Sequence, residues 1–128
     1  MHNRRTLLTA LAALALAPSL GRAFEVEPYD AIKAKAAIAS GKSVVLQVYA
    51  DWCPQCRAQS AALEKLKTTG AYDDIAFFRV DFDAQSDVVA KLKCPRSTVI
   101  GYKGGKEVRR QSFGLSVAEV KDVLDAAK

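Results

Sequence analysis

Val44-Val45-Leu46-Gln47-Val48-Tyr49-Ala50-Asp51-Trp52-Cys53-Pro54-Gln55-Cys56 decides how the rest of the chain is read. Its first half is β-branched and aliphatic, the kind of side chain that fills a buried strand, and Pro54 is pre-set for the first turn of a helix. The two cysteines therefore sit where a strand hands over to a helix. Unpaired backbone N–H groups and the positive end of the helix dipole favour a thiolate there, which makes Cys53 the expected reactive sulfur. Cys56 lies one turn along the same helical face, within reach of a disulfide with Cys53, and is expected to resolve a mixed disulfide that Cys53 forms. Arg57 adds nearby positive charge.

A cysteine pair at this spacing is also half of a structural zinc site. The other half is missing: the remaining cysteine is Cys94 and the single histidine is His2, in a segment read below as a leader. Four Cys/His ligands cannot be assembled, so redox chemistry is favoured and no metal or other cofactor is assigned. A purely structural disulfide is disfavoured too, because so short a loop gains little chain-entropy stabilisation.

The match to a known pattern extends beyond the cysteines. An apolar strand, the junction Tyr49-Ala50-Asp51-Trp52-Cys53-Pro54-Gln55-Cys56, a following helix, the strand opening at Thr98, the turn Lys103-Gly104-Gly105 and a C-terminal helix together resemble the thioredoxin superfamily from about Ser43 to Lys128. The resemblance implies an α/β fold with a mixed four-stranded sheet and helices on both faces. It also implies protein disulfides as substrates, a separate redox partner that recycles the pair, and a contact surface made by Trp52, Pro54, Gln55 and the Arg96-Ser97-Thr98 loop. Two departures stand out. The family's buried acid six residues before the first cysteine is Gln47 here, and an amide cannot take a proton at neutral pH. The family's cis-proline before the last strand pair falls on Ser97 when counted back from the turn. A second register makes Cys94-Pro95 the cis bond and brings a third thiol beside the pair.

Either register puts Cys94 in the loop facing the motif. As a free cysteine it reads as a small buried hydrophobe; as an odd thiol it is a candidate third redox partner or soft ligand. Loss of the cis-proline, which in the family crowds the pair, motivates an alternative function, a periplasmic protein binding copper or another soft metal through Cys53 and Cys56, with Cys94 a candidate third ligand.

The chain has 128 residues, half of them hydrophobic, enough for one small domain. Residues 1–23 read as an export signal and residues 24–128 as the domain: Arg4 and Arg5 precede an apolar run from Leu7 to Ala17, then Pro18 and the small residues Gly21 and Ala23. The arginine pair partly resembles a twin-arginine signal. No cysteine stands before Cys53 to take a lipid, and no stable membrane anchor is expected. The formal net charge of +5 includes three leader arginines; without them sixteen basic residues face fourteen acidic ones, a mixed surface that does not argue for nucleic acid.

The remaining elements are punctuated clearly. Glu25 to Tyr29 is extended, and Asp30 caps a helix to Ser40 whose apolar stripe is Ile32, Ala36, Ile38 and Ala39. The helix from Pro54 carries an apolar face at Ala58, Ala62, Leu63 and Leu66. Ile75–Phe82 is a strand; Asp81 and Asp83 end it and cap a helix from about Ser86 to Leu92. Thr98–Lys103 and Glu107–Phe113 form a hairpin, and Ser116 opens a capping box for a last helix with Val117, Val120 and Leu124 inward. The combined expectation is an exported, periplasmic, monomeric thiol–disulfide oxidoreductase using a Cys53–Cys56 redox disulfide. It leans towards reductant because no histidine within the motif holds the thiolate.

Overall fold

The computed structural model describes residues 24–128; the expected leader lies outside the described residues. The strands are β1 (Val26–Pro28), β2 (Val44–Tyr49), β3 (Ala76–Asp81), β4 (Thr98–Lys103) and β5 (Lys106–Ser112), and the helices are α1 (Ala31–Ala39), α2 (Pro54–Lys67), α3 (Ser86–Leu92) and α4 (Val117–Ala127). They form one mixed sheet in the order β1-β3-β2-β4-β5, with β1 and β2 parallel to β3 and β4 antiparallel to both β2 and β5. The sheet thus has five strands rather than the expected four. The extended Glu25–Tyr29 segment supplies the extra one, at the edge beside β3, where Pro28 ends the strand and its missing N–H does no harm.

Alternation along β2 splits the core in two. Val45 faces α2 and α4 with Leu63, Leu66, Phe77, Val99, Val120 and Leu124. Val44 and Leu46 face α1 with Ala34, Phe78 and Ile100, and Val48 packs with Val80 and Val89 of α3. The central strand is therefore buried on both sides, as its unbroken apolar run requires. Where α4 crosses β4 there is room only for glycine: a Cβ on Gly101 would stand 3.1 Å from both the Ala127 Cβ and the Val123 carbonyl oxygen.

Several local expectations are corrected. The inward face of α1 is Ala34, Ala37 and Ile38, while Ile32, beside the N-cap, is 83% exposed. In α2 the buried stripe runs through Cys56, Gln59, Ala62, Leu63 and Leu66, with Gln59 where Ala58 was expected to lie. Neither aspartate caps α3: Asp81 Oδ1 accepts from the backbone N–H groups of Asp83 and Ala84, closing the turn ahead of that helix, and Asp83 accepts from a side chain of the active-site junction. Asp30 and Ser116 do cap their helices, the latter accepting from Glu119 N at 3.2 Å.

Candidate active site

Cys53 is the N-cap residue of α2. Its backbone is extended (φ −92°, ψ 110°), Pro54 follows at the first helical position, and its Sγ accepts from Cys56 N at 3.1 Å. Sulfur thus takes the place an N-cap serine or aspartate oxygen would fill, and a thiolate does so better than a thiol because the donors and the helix dipole favour negative charge. As a thiol, Cys53 donates to Gln55 Oε1 at 3.6 Å. Cys56 lies deeper, its thiol directed at the Val48 carbonyl oxygen at 4.0 Å, and with Ala50 the two cysteines form a small buried cluster edged by Tyr49 and Phe82.

The two sulfurs differ in acidity. Burial pushes the Cys53 thiol up, but hydrogen bonds from the Cys56 thiol and backbone N–H, and then the Arg96 guanidinium, outweigh it and hold Cys53 below the ordinary thiol range. Burial, followed by the neighbouring Cys53 sulfur, raises Cys56, with backbone groups of Ala50 and Ser97 opposing it. The sulfur that caps the helix is made more acidic and the one behind it less so.

The Arg96-Ser97-Thr98 segment packs against this pair. Ser97 is fully buried, its N–H donates to Val48 O at 2.9 Å, and its carbonyl accepts from Phe113 N at 2.7 Å and from Gln59 Nε2 at 3.2 Å. It adopts a left-handed φ of +57°, and its Oγ is buried without a partner. Thr98 Oγ1 donates to Pro95 O at 2.9 Å, which fixes the entry to β4. Among the described residues every peptide bond is trans, so the register with a cis Cys94-Pro95 bond is not adopted. Cys94 instead packs with Leu92, Val48 and Val80, a cluster separate from that of Cys53 and Cys56, and burial raises its pKa. No three Cys, His, Asp or Glu side chains gather into a metal site among the described residues. The Cys94 side chain packs in the clusters on the α1 and α3 face of the sheet, so the three cysteines do not gather into the soft-ligand set considered for copper.

The thioredoxin family profile matches residues 26–126. The chain belongs to the thioredoxin family. It is 40% identical over 90 residues to Thioredoxin-2 of Saccharomyces cerevisiae, covering 69% of this chain and 84% of that protein. Identity to Thioredoxin-1 of Schizosaccharomyces pombe is 32% over 98 residues, covering 76% and 92%. The crystal structure of Trxlp from Edwardsiella tarda superimposes with a TM-score of 0.73 at 39% identity, covering 78% of this chain and 98% of that one. As a thioredoxin the chain is a thiol–disulfide oxidoreductase that works through a cysteine pair.

Within the thioredoxin frame, the structure joins the expected Gln47 and Trp52 to Ser60, Arg79 and Asp83, which the sequence does not single out for this role. Gln47, 1% exposed, donates from Nε2 to Ser60 Oγ at 2.9 Å and accepts at Oε1 from Arg79 Nε at 3.1 Å. Arg79 also donates to Ser60 Oγ at 3.3 Å and lies 4.3 Å over the Tyr49 ring. Ser60 is one helical turn beyond Cys56 on the same face of α2, so this amide–hydroxyl–guanidinium cluster lies one turn behind the deeper sulfur. Asp83 Oδ2 accepts from Trp52 Nε1 at 2.8 Å, anchoring an indole that is 54% exposed. Of the remaining expected site residues, Pro54 and Arg57 are exposed on the first turns of α2 and Gln55 is half-buried. Arg79 left a trace in the sequence, a lone charge in the apolar run 76–80, and so did Gln59, an amide at the spacing of the buried stripe.

Proposed function

We propose that this thioredoxin is an exported, periplasmic reductant of protein disulfides. The observation that carries the proposal is the opposed acidity of the two sulfurs: a Cys53 sulfur capping α2 and stabilised as thiolate, and a Cys56 thiol kept neutral behind it. The Cys53 thiolate attacks one sulfur of a substrate disulfide and expels the other as a thiolate. Cys56 then loses its proton and attacks Cys53 Sγ, which forms the Cys53–Cys56 disulfide and releases the second substrate sulfur. Two electrons pass from the pair to the substrate, and a separate redox partner returns them. The position at which the family carries a buried acid is the amide Gln47, which takes no proton, and the released substrate thiolate is the base that gains it.

The reductant direction is supported by the absence of an imidazole in the motif and by the uncharged Pro54 and Gln55; Arg96 tempers it by favouring the thiolate. Export is supported by the leader pattern in residues 1–23. Insulin reduction by the mature chain, with the potential of the pair equilibrated against glutathione, is the test. The reading holds if turnover is lost in Cys53→Ser, a mixed disulfide accumulates in Cys56→Ser, and the potential lies in the thioredoxin range of about −270 mV. A potential near −120 mV, that of a strong oxidant, reverses the direction.

A further inference from the structure

The rim of the active site holds a cation that faces the Cys53 sulfur but no carboxylate. The Arg96 guanidinium carbon stands 5.2 Å over the Trp52 ring and 5.5 Å over the Phe113 ring. Among the described residues, five cations face a carboxylate within 4.0 Å; Arg96, like most of the others, does not. Its Nε is buried and unpartnered. The nearby acid Asp83 is committed to the Trp52 ring N–H at the edge of the indole, whereas Arg96 lies over its face. The two rings beneath this cation are apolar surface: Trp52 and Phe113 are 54% and 42% exposed, two of the five exposed large hydrophobic side chains among the described residues. A guanidinium held over aromatic rings can still turn its terminal N–H pair to a substrate, and that planar pair matches a carboxylate in two parallel bonds where an ammonium makes only a point contact.

We propose that Arg96 is a specificity-determining residue that reads a carboxylate beside the disulfide sulfur attacked by Cys53, so that preferred substrates carry an acidic group next to that cysteine on an otherwise apolar segment. The proposal rests on the thiol–disulfide activity argued above and names its substrate class. Free thiolates in solution behave in the opposite way, reacting more slowly with anionic disulfides because like charges repel. A preference for an anionic substrate is therefore a property the site must supply.

The test compares single-turnover reduction, by the reduced mature chain, of three small symmetrical disulfides: dithiodipropionate (anionic), bis(2-hydroxyethyl) disulfide (neutral) and cystamine (cationic). Trp52 is the only tryptophan, so its fluorescence is a natural readout. The anionic disulfide is expected to react about fivefold faster than the neutral one, the size of one partly exposed ion pair, and the advantage should shrink as salt is raised. In Arg96→Gln the anionic-to-neutral rate ratio should fall to that of a free thiol. Any change in Cys53 reactivity scales all three rates alike and leaves the ratio untouched. Arg96→Lys should lose most of the preference while keeping the charge and the fold. An anionic-to-neutral ratio in the unaltered chain no higher than that of a free thiol, or a preference that survives Arg96→Lys intact, overturns carboxylate reading by the fork. Inertness towards all three disulfides would instead count against the underlying thiol–disulfide activity.

Discussion

At the scale of single residues, the chemistry depends on how neighbours divide acidity between two identical side chains. Arg96 favours the Cys53 thiolate, so Arg96→Gln should raise the Cys53 pKa. The thiolate fraction at neutral pH then falls, and the pH profile of Cys53 alkylation by iodoacetamide should move to higher pH; a profile that stays put would show that the helix terminus alone sets the acidity. Behind Cys56, Gln47→Leu removes the acceptor of Arg79 and a partner of Ser60 in a buried setting, and should lower stability by about 2 kcal/mol in urea unfolding. Gln47→Glu gives Arg79 a carboxylate partner instead. Cancelling that positive field beneath the pair disfavours the thiolate-bearing reduced state, so equilibration with glutathione should give a more negative potential. Gln47 was legible in the sequence because an amide interrupts an apolar strand. Arg79 was not, since only the pairing of Gln47 with Arg79 across β2 and β3 shows that the charge faces α2. The contacts of Arg96 with Trp52 and Phe113 join residues far apart in the chain, and no local pattern encodes them.

At the scale of elements, the decisive piece is the entry into β4. Ser97 holds a left-handed backbone that costs a non-glycine residue about 1 kcal/mol, and its hydroxyl is buried without a partner. Ser97→Gly should therefore stabilise the fold by about 1 kcal/mol, seen as a higher urea midpoint at unchanged slope. Proline cannot adopt that φ and lacks the N–H that Ser97 gives to Val48 O, so Ser97→Pro should be strongly destabilising unless the loop rebuilds. On the other side of the sheet strand, Gly101→Ala should cost about 2 kcal/mol by the same assay, because the added methyl meets α4 backbone as well as a side chain. Helix and strand positions were readable from caps and apolar periodicity. The edge strand β1 was not counted as part of the sheet, because three residues beside a proline carry no periodic signal; their partner β3 makes them a strand. The placement of Cys94 also escaped the sequence, since proximity along the chain to a loop facing the motif does not say which side of the sheet its side chain takes.

At the scale of the whole molecule, the middle of the chain is tied to its last helix by Tyr72, in the loop after α2, whose hydroxyl donates to Asp125 Oδ1 of α4 at 2.6 Å. Burial, and then Asp125, raises the Tyr72 pKa, while Lys121 and Tyr72 lower that of Asp125. The signs follow. The Asp125 contribution is present above the unfolded carboxylate range and is lost as pH falls through its lowered folded pKa. The Tyr72 contribution is present below the unfolded phenol range and is lost as pH rises through its raised folded pKa. Tyr72→Phe should cost about 1 kcal/mol at neutral pH in urea unfolding and flatten the stability profile at both extremes. The two borders of the sheet have a consequence of another kind. One border is a three-residue strand ending in Pro28, and the other is a strand bearing Lys106, Glu107, Arg109 and Arg110 with a break in pairing at Gly101/Tyr102. An open sheet edge is a template for any exposed backbone segment, and these blunted, charged margins give such a segment no ladder to join.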